Sequence, residues 1–306
     1  NAIAVRASEL SCEWPTKRLR EPFRAFLEAA HQLNPETLNI IAYQASQLEP
    51  DSLKLIARYA SKLNEQALNA IAVCASKLDD YDLSTLLKDA DKLSDDGLNA
   101  IARAALEKRQ FHLFNSIKCH VTRLDKKVLN SIACEDIFNP ILRLSTKTQE
   151  AIVCEAYKLD PDALNNIARN VDFYSLDDKA VNAIPCEASK LDPDALNAIA
   201  SKVVFYRLDD KAVNAIAKRA SELEYSVLST LSINEITNEA QRLNDDALNA
   251  IAGRASELCK HQLYNLSKEA RRLNDHALNA IAYKASKTSI FLFNHIACKS
   301  HRINGD

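Results

Sequence analysis

Apolar residues recur along this chain in blocks of 15. The leucines Leu33, Leu48, Leu63, Leu78 and Leu93 open five successive units built on the pattern L-x-x-x-x-L-N-x-I-A-x-x-A-S-K. With the opening Leu counted as position 1, apolar side chains at positions 6, 9, 10 and 13 fall on one face at helical spacing. The next opening Leu brings the chain back to that face. The pattern predicts one helix of about 11 or 12 residues per unit, roughly 17 Å long, followed by a short turn. Position 2 supplies the start signal. Asn244 precedes Asp245-Asp246, and Asn34-Pro35, Asp160-Pro161 and Asp192-Pro193 place proline directly after a capping residue. Such caps satisfy the free N–H groups of the first turn, and acids there complement the helix dipole.

A helix this short is unstable alone, so each must bury its face on neighbours. The units alternate in character: Leu68-Asn69-Ala70-Ile71 is followed by Leu83-Ser84-Thr85-Leu86. The fold predicted is all-α, a right-handed α-solenoid of stacked αα-hairpins of about 30 residues each. Residues 159–190 and 191–222 agree at 23 of 32 positions, which implies growth by copying whole hairpins. One solenoid is expected across 1–306, with divergent repeats over 1–32, regular repeats over 33–298 and a tail over 299–306. The spacing stretches near 135–147 and 224–242, where the array is expected to bend. Pro185 is expected to kink or shorten its helix. Phe173-Tyr174 and Phe205-Tyr206 read as aromatic plugs in a longer turn.

Position 7 departs from the amphipathic rule. It is Asn in twelve units: Asn39, Asn69, Asn99, Asn115, Asn130, Asn165, Asn182, Asn197, Asn214, Asn249, Asn279 and Asn294. Asn is a poor mid-helix residue because its amide competes for backbone hydrogen bonds. Two roles fit the row: a ladder that fixes register between helices, or a stripe that meets a ligand once per repeat. Position 11, one turn on, carries six cations and no acid: Arg58, Lys88, Arg103, Arg169, Lys218 and Lys268. An amide and a cation four residues apart could bind phosphate or acidic side chains. Cations near helix C-termini are also what the helix dipole favours.

Composition narrows the choice. With a net charge of −2 the chain is no bulk polycation, so nonspecific coating of nucleic acid is not expected. The three glycines cannot form a phosphate loop, and the seven histidines show no metal-binding spacing. No enzyme activity, cofactor, metal or small-molecule substrate is expected, and no apolar run suits a membrane. The eight cysteines form no CxxC pair; five stand at position 11 as small fillers. Free thiols suit an intracellular reducing compartment such as cytosol, nucleus or organelle. Asn1-Ala2-Ile3-Ala4 is already the second half of a repeat and methionine is absent, so the chain reads as a stretch of a longer protein.

The segments Ala195-Leu196-Asn197-Ala198-Ile199-Ala200-Ser201-Lys202 and Leu278-Asn279-Ala280-Ile281-Ala282 resemble short helical repeats of two kinds. One belongs to organellar RNA-binding proteins of the heptatricopeptide and RAP-associated class, the other to large effectors that pathogenic bacteria deliver into host cells. The first resemblance implies recognition of single-stranded RNA; the second implies delivery into a host cell. The near-neutral charge favours a non-catalytic scaffold that binds a protein partner, with single-stranded RNA as the alternative.

Overall fold

A computed structural model describes residues 33–135, 144–224 and 236–300. The divergent repeats expected over 1–32, most of both stretched spacings and the chain from 301 lie outside them. Among the described residues all regular structure is helical. The chain divides into two compact units, 1–132 with 139–151, and 133–138 with 152–306.

The first unit contains α1 (Pro35–Ala42), α2 (Pro50–Ala57), α3 (Glu65–Ala72), α4 (Asp80–Leu87) and α5 (Asp95–Glu107). The division falls within α6 (Lys126–Cys134) and α7 (Thr146–Val153). The second unit contains α8 (Pro161–Asn170), α9 (Asp178–Cys186), α10 (Pro193–Lys202) and α11 (Asp210–Ala217). It continues with α12 (Asp245–Gly253), α13 (Lys260–Ser267), α14 (Asp275–Thr288) and α15 (Ile290–Ser300).

Helices pack on the helix two places along. In the first unit α1 lies on α3 and α3 on α5, while α2 lies on α4. In the second, α8 lies on α10, α9 on α11, α12 on α14 and α13 on α15. Successive helices therefore alternate between two layers, as an array of αα-hairpins requires. The core is what the apolar positions dictate: Leu38, Ile41 and Ala42, then Leu68, Ile71 and Ala72, are wholly buried.

Most helices are shorter than the periodicity predicts, α5 (13 residues) and α14 (14 residues) being longer. In α1 the α-helical span is 8 residues, and a separate 3₁₀ turn, Ala45–Gln47, completes the unit. The N–H of Gln44 already bonds the carbonyl of Ile41, and that of Leu48 bonds Ala45. Three-residue pitch eclipses side chains at i and i+3. That places the position-13 Ala and the next opening Leu on the same side, and Ala45 and Leu48 are both buried.

Two local expectations change. Helix α9 runs through Pro185 to Cys186, one residue further than the equivalent point in α11, so proline does not shorten it. Pro185 stands in the last turn, where one missing N–H costs a single helical bond. Of the aromatic pairs, Phe173 and Phe205 are buried where other units have the turn Ala, whereas Tyr174 and Tyr206 are each 75% exposed. The phenylalanines are the plugs; the tyrosines face solvent.

Candidate functional site

The Asn row is a set of joints between helices of one layer. In the second unit the Oδ1 of Asn182 accepts the backbone N–H of Asp209 at 2.7 Å. Its Nδ2 donates to the carbonyls of Asp178 (2.7 Å) and Arg207 (3.0 Å). The amide thus spans Leu208, bonding the residues on either side of it. The pattern repeats with Asn165 on Asp192, Asn197 on Glu224, Asn214 on Asn244 and Asn249 on Asn274, at 2.6–2.9 Å. In the first unit Asn39 takes Asn64, Asn69 takes Ser94, Asn99 takes Asp125 and Asn115 takes Ser145. Asn130 is engaged too, while Asn279 and Asn294 are exposed.

The physical reason is the capping residue itself. Its side chain turns into its own helix, as Asp209 Oδ1 does on the N–H of Ala212. Its backbone N–H precedes the helix and has no intrahelical acceptor. The Asn two units earlier supplies one, so a residue that weakens its own helix stabilises the next layer neighbour.

The carbonyl of the same peptide group is held from the other side. Leu208 O accepts Arg242 Nη2 at 2.6 Å, and Leu191 O accepts Arg219 Nη1 at 2.6 Å. Leu243 O accepts Arg272, and Leu93 O accepts Arg123. The cation usually stands directly before an opening Leu. Where that residue is acidic, as at Glu222 and Glu257, an Arg three residues earlier takes over: Arg219 and Arg254 reach back to Leu191 and Leu223 while gripping the acid. Hydrogen bonding to Arg219 holds the Glu222 carboxyl below its usual range despite some opposing desolvation. These cations were not among the candidates from sequence, although the exchange between the two positions is visible there.

Most position-11 cations face acids two units along. Arg103 pairs with Asp125 and Arg169 with Asp192. Lys218 pairs with Asp246 at 3.1 Å, and Arg58 lies 3.7 Å from the buried Asp82. Lys88 is exposed. Lys268 instead lies 4.9 Å from the Tyr264 ring centroid and donates to Asn265 Oδ1 at 3.0 Å. Of the position-11 cysteines, Cys154 and Cys186 are half-buried and Cys119, Cys134 and Cys298 exposed. Burial raises the Cys186 thiol.

Several tyrosines face solvent, two of them at positions 4 and 11 of their units and three in the turns that close them. Tyr81, Tyr157, Tyr174, Tyr206 and Tyr283 are all well exposed. In the second unit an open groove of about 460 Å³ runs past Cys154, Tyr157, Asn182 and Cys186. Among the described residues no three His, Cys, Asp or Glu side chains converge on a metal position. Nor is any helix long and apolar enough to cross a membrane. No family model and no curated protein matches the sequence, so the geometry carries the functional argument alone.

Proposed function

We propose that the chain is a non-catalytic helical-repeat scaffold, its hairpins wound as a right-handed solenoid, that binds a protein partner along the exposed flank of its stacked helices. The observation supporting this reading is how the flank spends its polar groups. Amides that could read bases bond the backbone two units along, as Asn182 does with Asp209. Cations that could meet phosphates pair with the chain's own acids, as Lys218 does with Asp246. A polyanion would have to displace those partners. Exposed tyrosines remain, a residue type enriched in protein interfaces for its large area and polar tip.

The test is fluorescence anisotropy with labelled mixed-sequence single-stranded RNA at about 50 and about 200 mM salt. Absence of binding at micromolar protein in the lower salt is expected. Tight binding that weakens steeply with salt would overturn the proposal in favour of RNA recognition. A compartment inside a cell belongs to the same proposal and is supported by the free thiols.

A further inference from the structure

The acid–base pairing between layer neighbours is missing at Lys268, beside a pocket. Lys218, at position 11 of α11, pairs with Asp246, at position 4 of α12. The corresponding residues of α13 and α15 are Lys268 and Phe291. Helix α13 packs on α15, whose first turn reads Ile290-Phe291, so the equivalent position offers Lys268 no acid; Lys268 lies instead over the ring of Tyr264, a residue of the pocket wall. Among the described residues, every other α-helix carries at least one charged residue at these two positions.

Ile290 and Phe291 are both more than 70% exposed. Phe291, Leu292, Tyr264, Lys260 and His261 line a pocket of about 430 Å³, within the size range of side-chain and ligand sites. Among the described residues no acidic side chain pairs with Lys260 or Lys268. The surroundings are basic too: residues 259–300 hold seven Lys or Arg and two Asp or Glu, in a chain of net charge −2.

We infer that the α13–α15 pocket is a docking site for an acidic, apolar segment of a partner polypeptide. A Phe or Leu of that segment fills the pocket against Tyr264 and Phe291. An Asp or Glu beside it supplies to Lys268 and Lys260 the carboxylate that the array elsewhere supplies to itself. The inference rests on the proposed protein-binding function and fixes where and by what chemistry it operates.

The probe is a fluorescein-labelled degenerate peptide pool built from Asp, Glu, Leu and Phe. One control pool has Lys in place of the acids, and another has Ser in place of Leu and Phe. The test variant is Phe291→Asp, which restores an internal acid for Lys268 at an exposed position; circular dichroism checks its fold. Wild-type protein is expected to bind the acidic–apolar pool at least about tenfold more tightly than either control pool, a margin of about 1.4 kcal/mol. Phe291→Asp should erase that margin, and Lys268→Met should weaken binding and flatten its salt dependence.

Equal binding of the pool by wild type and Phe291→Asp would overturn this site while leaving the protein-binding reading intact. No binding of the pool, with mixed RNA bound instead and lost in the variant, would overturn both. A concentration-dependent dimer in sedimentation, abolished by Phe291→Asp, would assign the pocket to a second copy and overturn the inference.

Discussion

The side-chain oxygen of Asn182 and the backbone nitrogen of Asp209 are 2.7 Å apart, 27 residues distant in sequence. The same peptide group presents the Leu208 carbonyl to Arg242. One peptide per turn is thereby gripped by the preceding and the following member of its layer. Asn182→Ala leaves the Asp209 N–H and the Arg207 carbonyl without this partner. The expected cost is about 1–3 kcal/mol, measured by denaturant unfolding, with helicity retained in the folded state. No measurable loss would mean that water replaces the joint.

Removing the cation should cost a comparable amount from the opposite side. Arg219→Met strips the Ala188 and Leu191 carbonyls of their charged donor and leaves Glu222 without its partner. The expected loss is about 1–3 kcal/mol. The double change Arg219→Met with Glu222→Gln should recover part of it, because no unpaired acid remains; a double-mutant cycle reads the difference.

Two glycines should respond to alanine with opposite signs. A Cβ on Gly97 would come 2.7 Å from Asn69 Oδ1, an atom fixed by the backbone N–H of Ser94 at 2.6 Å and its hydroxyl at 2.9 Å. Gly97→Ala gains about 1 kcal/mol of helix propensity but displaces that joint, worth about 1–3 kcal/mol, so net destabilisation is expected. Gly253 has nothing within 4 Å of an added Cβ, and Gly253→Ala should stabilise by about 0.5–1 kcal/mol. Thermal melts of the two variants settle the signs.

Acid should first strengthen the joint between α2 and α4. Asp82 is 0% exposed and neither carboxylate oxygen accepts a hydrogen bond. Burial, with the adjacent Asp79, pushes its pKa from 3.8 to about 6 against the opposing pull of Arg58. A raised folded-state value means the protonated form folds better. Its contribution is therefore fully present below about 4 and is lost as pH rises through about 6. Other units carry Ala here, as at Ala67 and Ala180. Asp82→Ala should flatten this part of the stability–pH curve and stabilise at pH about 7.5 by on the order of 1–3 kcal/mol. An unchanged curve would show that Asp82 is ionised without penalty.

The layered helical fold was legible because burial at positions 6, 9, 10 and 13 imposes a period that the letters display. The importance of position 7 was legible too, since Asn is costly in mid-helix and yet recurs. Its partners were not: Asp209 and Asn182 share no local pattern, and only packing brings them together. The 3₁₀ turns were hidden because Ala at position 13 serves a continued α-helix equally well. Arg207 and Arg242 were overlooked because a cation at a helix end has an adequate explanation in the dipole. The exchange of Arg219 and Glu222 for a simple Lys or Arg before Leu was the signal that more was at stake. The α13–α15 pocket was hidden for another reason: Phe291 looks like any apolar residue until its counterpart is known to be Asp246.

Because the Asn joints and the layer packing link elements two units apart, the array obeys a parity rule. Insertion or loss of two consecutive units leaves every helix on its own side, and residues 159–190 and 191–222 have the form of such a paired duplication. Insertion of a single unit would send all later helices to the opposite side and set Asn against the wrong turn. Lengthening of this protein is thereby confined to even steps, and artificial versions should tolerate additions of 32 residues (the length of that duplicated block) but not of 15.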